Sequence, residues 1–252
     1  MTNFLLTAWD WEPSVVVGCA ALAIAYLVAT RGNATKAACT CFLGGVLLLL
    51  LDLVSPIDAL ADGYLFSAHI IQHFLLALVI PPLLLLGLPA EMRLPAAFSP
   101  LIAWPLGVGT MLIWHIPALF NAALANDALH IFQHLSFLAT GVIFWWPVLG
   151  PAKCRLPAGV AVPYLFAACT ACSLLGAAIT FSHPGLYPAY LHPDDNLGIL
   201  SVIRNDWGLD PKNDQQLGGL LMWVPGCFVY LTAILATVAR WYTIPEHVDA
   251  EA

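Results

Sequence analysis

Charge is what this sequence has least of. Only 9% of its 252 residues are Asp, Glu, Lys or Arg and 61% are hydrophobic, whereas an ordinary soluble domain carries roughly 25% charged residues. That deficit excludes a water-soluble globular domain of the usual kind. The eight Lys and Arg residues are scattered, so there is no basic patch for nucleic acid. No Lys or Arg precedes the first apolar run. The positive start of a cleaved signal peptide is therefore missing, and the first run is expected to stay in the membrane. The seven cysteines are an odd number. Six lie in apolar runs (Cys19, Cys39, Cys41, Cys169, Cys172, Cys227) and Cys154 lies in a short loop, which is no disulfide framework. Cys169 and Cys172 form a Cys-x-x-Cys pair deep in an expected helix, where packing as small apolar side chains is preferred over soft-metal binding. No Ser-His-Asp order, Gly-rich phosphate loop or nucleotide motif stands out. The apolar runs carry no charged residue at mid-depth, which argues against a proton-coupled transporter.

What is present is apolar length. Runs of about 20 residues recur along the chain, each enough to cross about 30 Å of hydrocarbon. They predict an all-α fold: a polytopic membrane helical bundle with seven transmembrane helices at 13–30, 37–55, 67–87, 100–118, 128–149, 158–182 and 215–241. Residues 1–252 form a single membrane domain. The loops are short except for residues 183–214, a long extracytoplasmic loop. Basic residues set the orientation. If the helices alternate, Arg31, Lys36, Arg93, Lys153, Arg155 and Arg240 share one side, and only Arg204 and Lys212 fall in the long loop opposite. The N-terminus is therefore expected outside. Asp58, Asp62, Asp127, Asp194, Asp195, Asp206 and Asp210 all fall in outer loops. Tryptophans are expected at both interfaces, with Trp9, Trp11 and Trp114 outside and Trp104, Trp145, Trp146 and Trp241 inside.

Within that frame the histidines are one-sided. His69-Ile-Ile-Gln-His73 is echoed 61 residues later by His130-Ile-Phe-Gln-His134. Two histidines four apart share one helix face, a spacing that suits two ligands of one metal. Pro56 precedes His69 by 13 residues and Pro117 precedes His130 by the same 13. The second and third spans and the fourth and fifth therefore read as repeated helical hairpins, with spans six and seven as a diverged third copy. His115 and His183 close outward-running spans, His192 lies in the long loop, and only His247 falls on the inner side. Asp52 lies at a depth close to His69, and Asp214 opens the seventh span. Ionisable groups at membrane depth are costly and face a bundle interior or a wet cavity. This is a cup of imidazole and carboxylate, and imidazole suits Cu, Zn, Fe and Ni alike.

Five stretches stand out: His69-x3-His73 followed by Pro81-Pro82 and Gly87-Leu-Pro89; Trp114-His115-Ile-Pro117-Ala-Leu119; His130-x3-His134 running to Phe144-Trp145-Trp146-Pro147; Leu186-Tyr187-Pro188-x-Tyr190; and Asp214-Gln215-Gln216-Leu-Gly218-Gly219 running to Met222-Trp223. Together they resemble the CtaG family of caa3-type cytochrome c oxidase assembly factors. The motifs span about residues 52 to 230 in the family's order. The resemblance implies a multi-pass protein of the bacterial plasma membrane that matures a haem–copper oxidase at the copper-delivery step and is not an enzyme. Its partners would be oxidase subunits, membrane lipid and a periplasmic copper donor, with no nucleic acid. Copper would then sit in the outer cup on His69, His73, His130 and His134, with His115 next. Asp52, His183 and Asp214 would orient those ligands or substitute for one, and Met111 or Met222 could add a soft ligand. Two alternatives stay open: b-type haem held between His73 and His134, and a metal-free scaffold that docks oxidase subunits.

Overall fold

The computed structural model describes residues 2–89, 99–151 and 155–243; Arg93, Lys153, Cys154 and His247 lie outside them. All regular structure among the described residues is helical, as hydrocarbon demands of a backbone that must satisfy its own hydrogen bonds. A short α1 (Thr2–Thr7) leads into α2 (Pro13–Thr30) and α3 (Lys36–Val54). Next come α4 (Pro56–Gly63), α5 (Phe66–Phe74), α6 (Ile80–Leu86), α7 (Pro100–Trp114) and α8 (Pro117–Leu124). The last three are α9 (Asp127–Leu149), α10 (Ala158–Phe181) and α11 (Pro211–Thr243). Among the described residues six helical stretches are long and apolar enough to span a membrane, or seven if α7 and α8, bent by 74°, make one span.

The fourth span departs most from expectation, and proline is the reason. A residue before proline is pushed out of the helical region. Ile116, ahead of Pro117, is extended (φ −63°, ψ 123°), so α7 ends at Trp114 and Pro117 opens a new helix. Ser55 ahead of Pro56 is likewise extended (φ −82°, ψ 169°). Each proline therefore opens an eight-residue helix, α4 or α8, before the histidine-bearing helix begins. The sequence reading missed both short helices. Spans six and seven carry no such helix after His183; a 3₁₀ turn at Pro188–Tyr190 and a wide turn at Val202–Asp206 stand there instead.

Helices α5 and α6 belong to one apolar stretch, Phe66–Leu86, joined by a π turn at Leu75–Val79. Pro81 has no N–H to give the carbonyl of Ala77, four residues back. That carbonyl instead accepts from the indole N–H of Trp145 on α9, at 3.2 Å. Gly141 on α9 permits the approach: a Cβ there would stand 2.8 Å from Pro81 Cγ and 2.9 Å from Ala77 O. Trp145 is thus core, as are Trp114 and Trp146, which corrects their expected interfacial placement. Their indoles find work inside, as when Trp114 Nε1 donates to Ser136 Oγ at 2.7 Å. Trp11 and Trp241 are exposed, as interfacial anchors are. Helices α10 and α11 pack against each other. A Cβ at Gly219 would collide with Thr180 Oγ1 and stand 2.7 Å from Gly176 O, the small-residue contact by which helices meet in lipid.

Candidate metal centre

The two histidine helices are started differently. Helix α9 caps itself, since Asn126 Oδ1 accepts from Leu129 N at 3.0 Å. Helix α5 has Leu65 at the capping position, which offers no side-chain acceptor. Its cap comes from Asp214 in the first turn of α11, whose two carboxylate oxygens accept from Phe66 N (2.8 Å) and Ser67 N (3.0 Å). A carboxylate at a helix N-terminus also meets the positive end of the helix dipole. The last span therefore fixes where α5 begins, and with it where His69 and His73 stand.

The two pairs face each other. Ring centroids are 4.4 Å apart in His69–His73 and 4.2 Å apart in His130–His134. Across the helices they are 5.1 Å for His69–His130, 5.8 Å for His69–His134 and 5.7 Å for His73–His134. His115, at the α7–α8 bend, lies 5.3 Å from His73. His69, His73, His115 and His134 are buried, while the His130 side chain keeps 14% exposure. Phe120 packs 4.8 Å from the His69 ring and Phe137 packs 4.3 Å from the His73 ring, so the floor and walls are aromatic.

Hydrogen bonds fix part of the protonation pattern. His69 Nε2 and His73 Nε2 are 2.9 Å apart, so one donates and the other accepts. His115 Nδ1 lies 2.6 Å from Met111 O; the carbonyl requires the proton on Nδ1 and leaves Nε2 with a lone pair. Imidazole ligands of metals are commonly oriented this way by a carbonyl on the far nitrogen. Among the described residues no partner reaches His115 Nε2, His134 Nε2 or His73 Nδ1. Such buried unpaired atoms cost about 1–3 kcal/mol each, which coordination would relieve. His69, His130 and His134 each offer one ligand atom, all within 4.8 Å of one another. Imidazole nitrogens hold an ion at about 2.0–2.1 Å, so donors end up at most about 4 Å apart, and small side-chain rotations close the difference.

An acidic rim adjoins the cluster. Asp62 Oδ1 is 3.6 Å from His130 Nε2, and Asp127 opens α9 three residues before His130. Asp58 Oδ1 accepts from Gln72 Nε2 at 2.7 Å. Burial, and then the neighbouring Asp62 carboxylate, push the Asp58 carboxyl up to about 6. The long loop closes over the other side. Tyr187 stacks on Phe66 at 4.4 Å and lies 4.5 Å from Phe120, and its hydroxyl donates to His115 O at 3.0 Å. Tyr190 donates to Ala61 O at 2.8 Å. Gln215 secures the start of that loop, accepting from Gly185 N and Leu186 N, both at 3.1 Å.

The three remaining candidate residues have different surroundings. His183 is exposed, with Nδ1 2.6 Å from Pro184 O. Asp214 is the cap of α5. Asp52 is buried, with neither carboxylate oxygen partnered among the described residues, and it is outside the three-histidine donor group. The sequence reading overlooked two glutamines. Gln72 and Gln133 are fully buried, and Gln72 ties the Asp52 carbonyl (3.0 Å) to the Asp58 carboxylate. The signal was present: both copies read His-x-x-Gln-His.

Fold and site together define a polytopic helical membrane protein with a buried histidine cluster at one end of its bundle. The chain belongs to the family of cytochrome c oxidase caa3 assembly factors, whose family model matches residues 21–243. It is also similar to uncharacterized proteins of Mycobacterium leprae (24% identical over 93% of this chain) and of Mycobacterium bovis and Mycobacterium tuberculosis (each 26% over 94%). The chain spans about 40% of the length of these curated relatives. No solved structure matches it.

Proposed function

We propose that this protein assists assembly of a caa3-type cytochrome c oxidase by holding copper at the histidine cluster and passing it to an oxidase subunit in the same membrane. The observation that carries this reading is the convergence of His69, His130 and His134 from two helices, with ligand atoms within 4.8 Å of one another. His73 and His115 stand behind them as further imidazoles. The cluster lies on the extracytoplasmic side if the basic loops face the cytoplasm. Copper enters beside His130, the one partly exposed member, where Asp62 and Asp127 attract cations. The buried rings supply nitrogen ligands and exclude water. No substrate turnover is involved, and copper is cargo.

Aromatic packing favours this over haem. A porphyrin between His73 and His134 needs a flat slot, but the His73 ring is flanked by His69 at 4.4 Å and Phe137 at 4.3 Å. The test is metal analysis of protein purified from its own membrane, compared with a His69→Ala/His130→Ala/His134→Ala variant, together with oxidase activity in cells carrying each. The expected result is loss of copper and of active oxidase. Equal copper in the two proteins overturns the site, and full oxidase activity without copper would favour a docking scaffold.

A further inference from the structure

Directly against the histidine cluster, deeper in the bundle, is a small cavity walled by His73, Met111, Cys172 and Met222, with Ile70, Phe74 and Leu78 completing its apolar lining. A neighbouring cavity shares Leu78, Met111 and Cys172 and reaches Tyr230. The four potential donors come from four helices: α5, α7, α10 and α11. The chain has four methionines. Met1 and Met92 lie outside the described residues, and both of the others line this one cavity. All four donor side chains are buried.

Core packing alone accounts poorly for this place. Protein interiors close such gaps, and a buried polar atom normally has a partner. Here the His73 ring forms part of the wall, its Nε2 is taken up with His69, and its Nδ1 has no partner among the described residues. Thioether and thiolate donors select soft ions, of which Cu(I) is the biological case. Charge points the same way. An ion of charge +1 bound to Cys172 as thiolate, with the thiol proton lost to bulk solvent, leaves the site neutral. A divalent ion would leave a net charge at a depth where charge is expensive.

We propose that this cavity is a second metal site, selective for a soft monovalent ion, with Met111, Met222, Cys172 and His73 as donors. His73 then belongs to both sites, one ring nitrogen paired with His69 and the other left unpaired for an ion in the cavity. An ion in the nitrogen cluster is one side chain away from a sulfur cage. The site extends the copper reading without depending on it.

The test uses Ag(I), a redox-inert stand-in for Cu(I), titrated into the full chain in detergent. The variants are Met111→Leu/Met222→Leu, Cys169→Ser/Cys227→Ser and His69→Ala/His130→Ala/His134→Ala. Leu for Met conserves volume and keeps the core packed, and thermal melting confirms the fold. Relative to wild type, the methionine variant is expected to lose one equivalent of Ag(I), whereas the cysteine-pair and histidine variants keep it. X-ray absorption on the silver should show sulfur scatterers in wild type and fewer in the methionine variant. Unchanged silver stoichiometry in the methionine variant overturns the proposal. So does loss of the equivalent only when Cys169 and Cys227 are changed, since Cys169 Sγ and Cys227 Sγ, 3.5 Å apart, are the competing soft site. The copper reading is judged separately, by the histidine variant's copper content.

Discussion

Asp214 offers the sharpest test, because two roles for it make opposite forecasts. As the cap of α5 it accepts from two backbone N–H groups, of Phe66 and Ser67, both residues buried. Replacing it with alanine strands both donors. A buried donor left unpaired costs about 1–3 kcal/mol, and loss of a helix N-cap costs about 0.5–2 kcal/mol. With both donors lost, Asp214→Ala should destabilise the protein by about 2–4 kcal/mol. Asp214→Asn keeps one acceptor oxygen in place and should cost about half as much. The assay is reversible unfolding in mixed micelles by increasing denaturing detergent, alongside metal content of the folded protein. A capping role predicts graded stability, wild type above Asn above Ala, with metal lost only as far as α5 frays. If Asn and Ala both abolish metal binding while stability is unmoved, Asp214 is a ligand and the capping argument fails.

Trp145→Phe keeps the ring but leaves Ala77 O unpaired, and should lower stability by about 1–2 kcal/mol in the same assay. Gly219→Leu drives a side chain into Thr180 and Gly176; it should part α10 from α11 and give aggregated protein on size-exclusion chromatography. The fold holds the Asp58 carboxyl at about 6 against an ordinary 3.8, so between those values the folded chain binds more protons than the unfolded one. Stability should therefore fall as pH rises from about 4 to 6 and level off above, and Asp58→Asn should flatten that slope. Ser136→Ala removes the acceptor of the Trp114 indole, and a red-shifted or broadened tryptophan emission would report the freed ring.

Helix number and type were legible because apolar length is a local property, and the histidine face was legible because a four-residue spacing is too. What escaped was anything settled between distant parts of the chain. Nothing near Leu65 says that its helix is capped from Asp214, 149 residues on. Nothing near Trp145 says that a proline on another helix has freed a carbonyl for it, so a residue typical of interfaces went unrecognised as core. The short helices α4 and α8 were hidden inside apolar stretches that read as continuous, although Pro56 and Pro117 marked their starts. His183 carries suitable donor chemistry, and only its exposed position separates it from the five clustered imidazoles.

The wide turn at Leu75–Val79 has a consequence for which sequence changes the protein can tolerate. A regular helix turns about 100° per residue, and a π turn absorbs one residue beyond that count. Above the turn, α5 packs on α4 and α11; below it, α6 packs on α3 and α9. Both faces are kept because the turn takes up that extra residue. Deleting one residue from Leu75–Val79 should restore a regular helix and leave His69 and His73 on the same face relative to α6. Adding one residue to a helix that stays regular elsewhere should swing them by about 100°. Every donor would survive, yet the two histidine pairs would no longer face each other. In this stretch the loss of a single residue should be tolerated, whereas the gain of one should not.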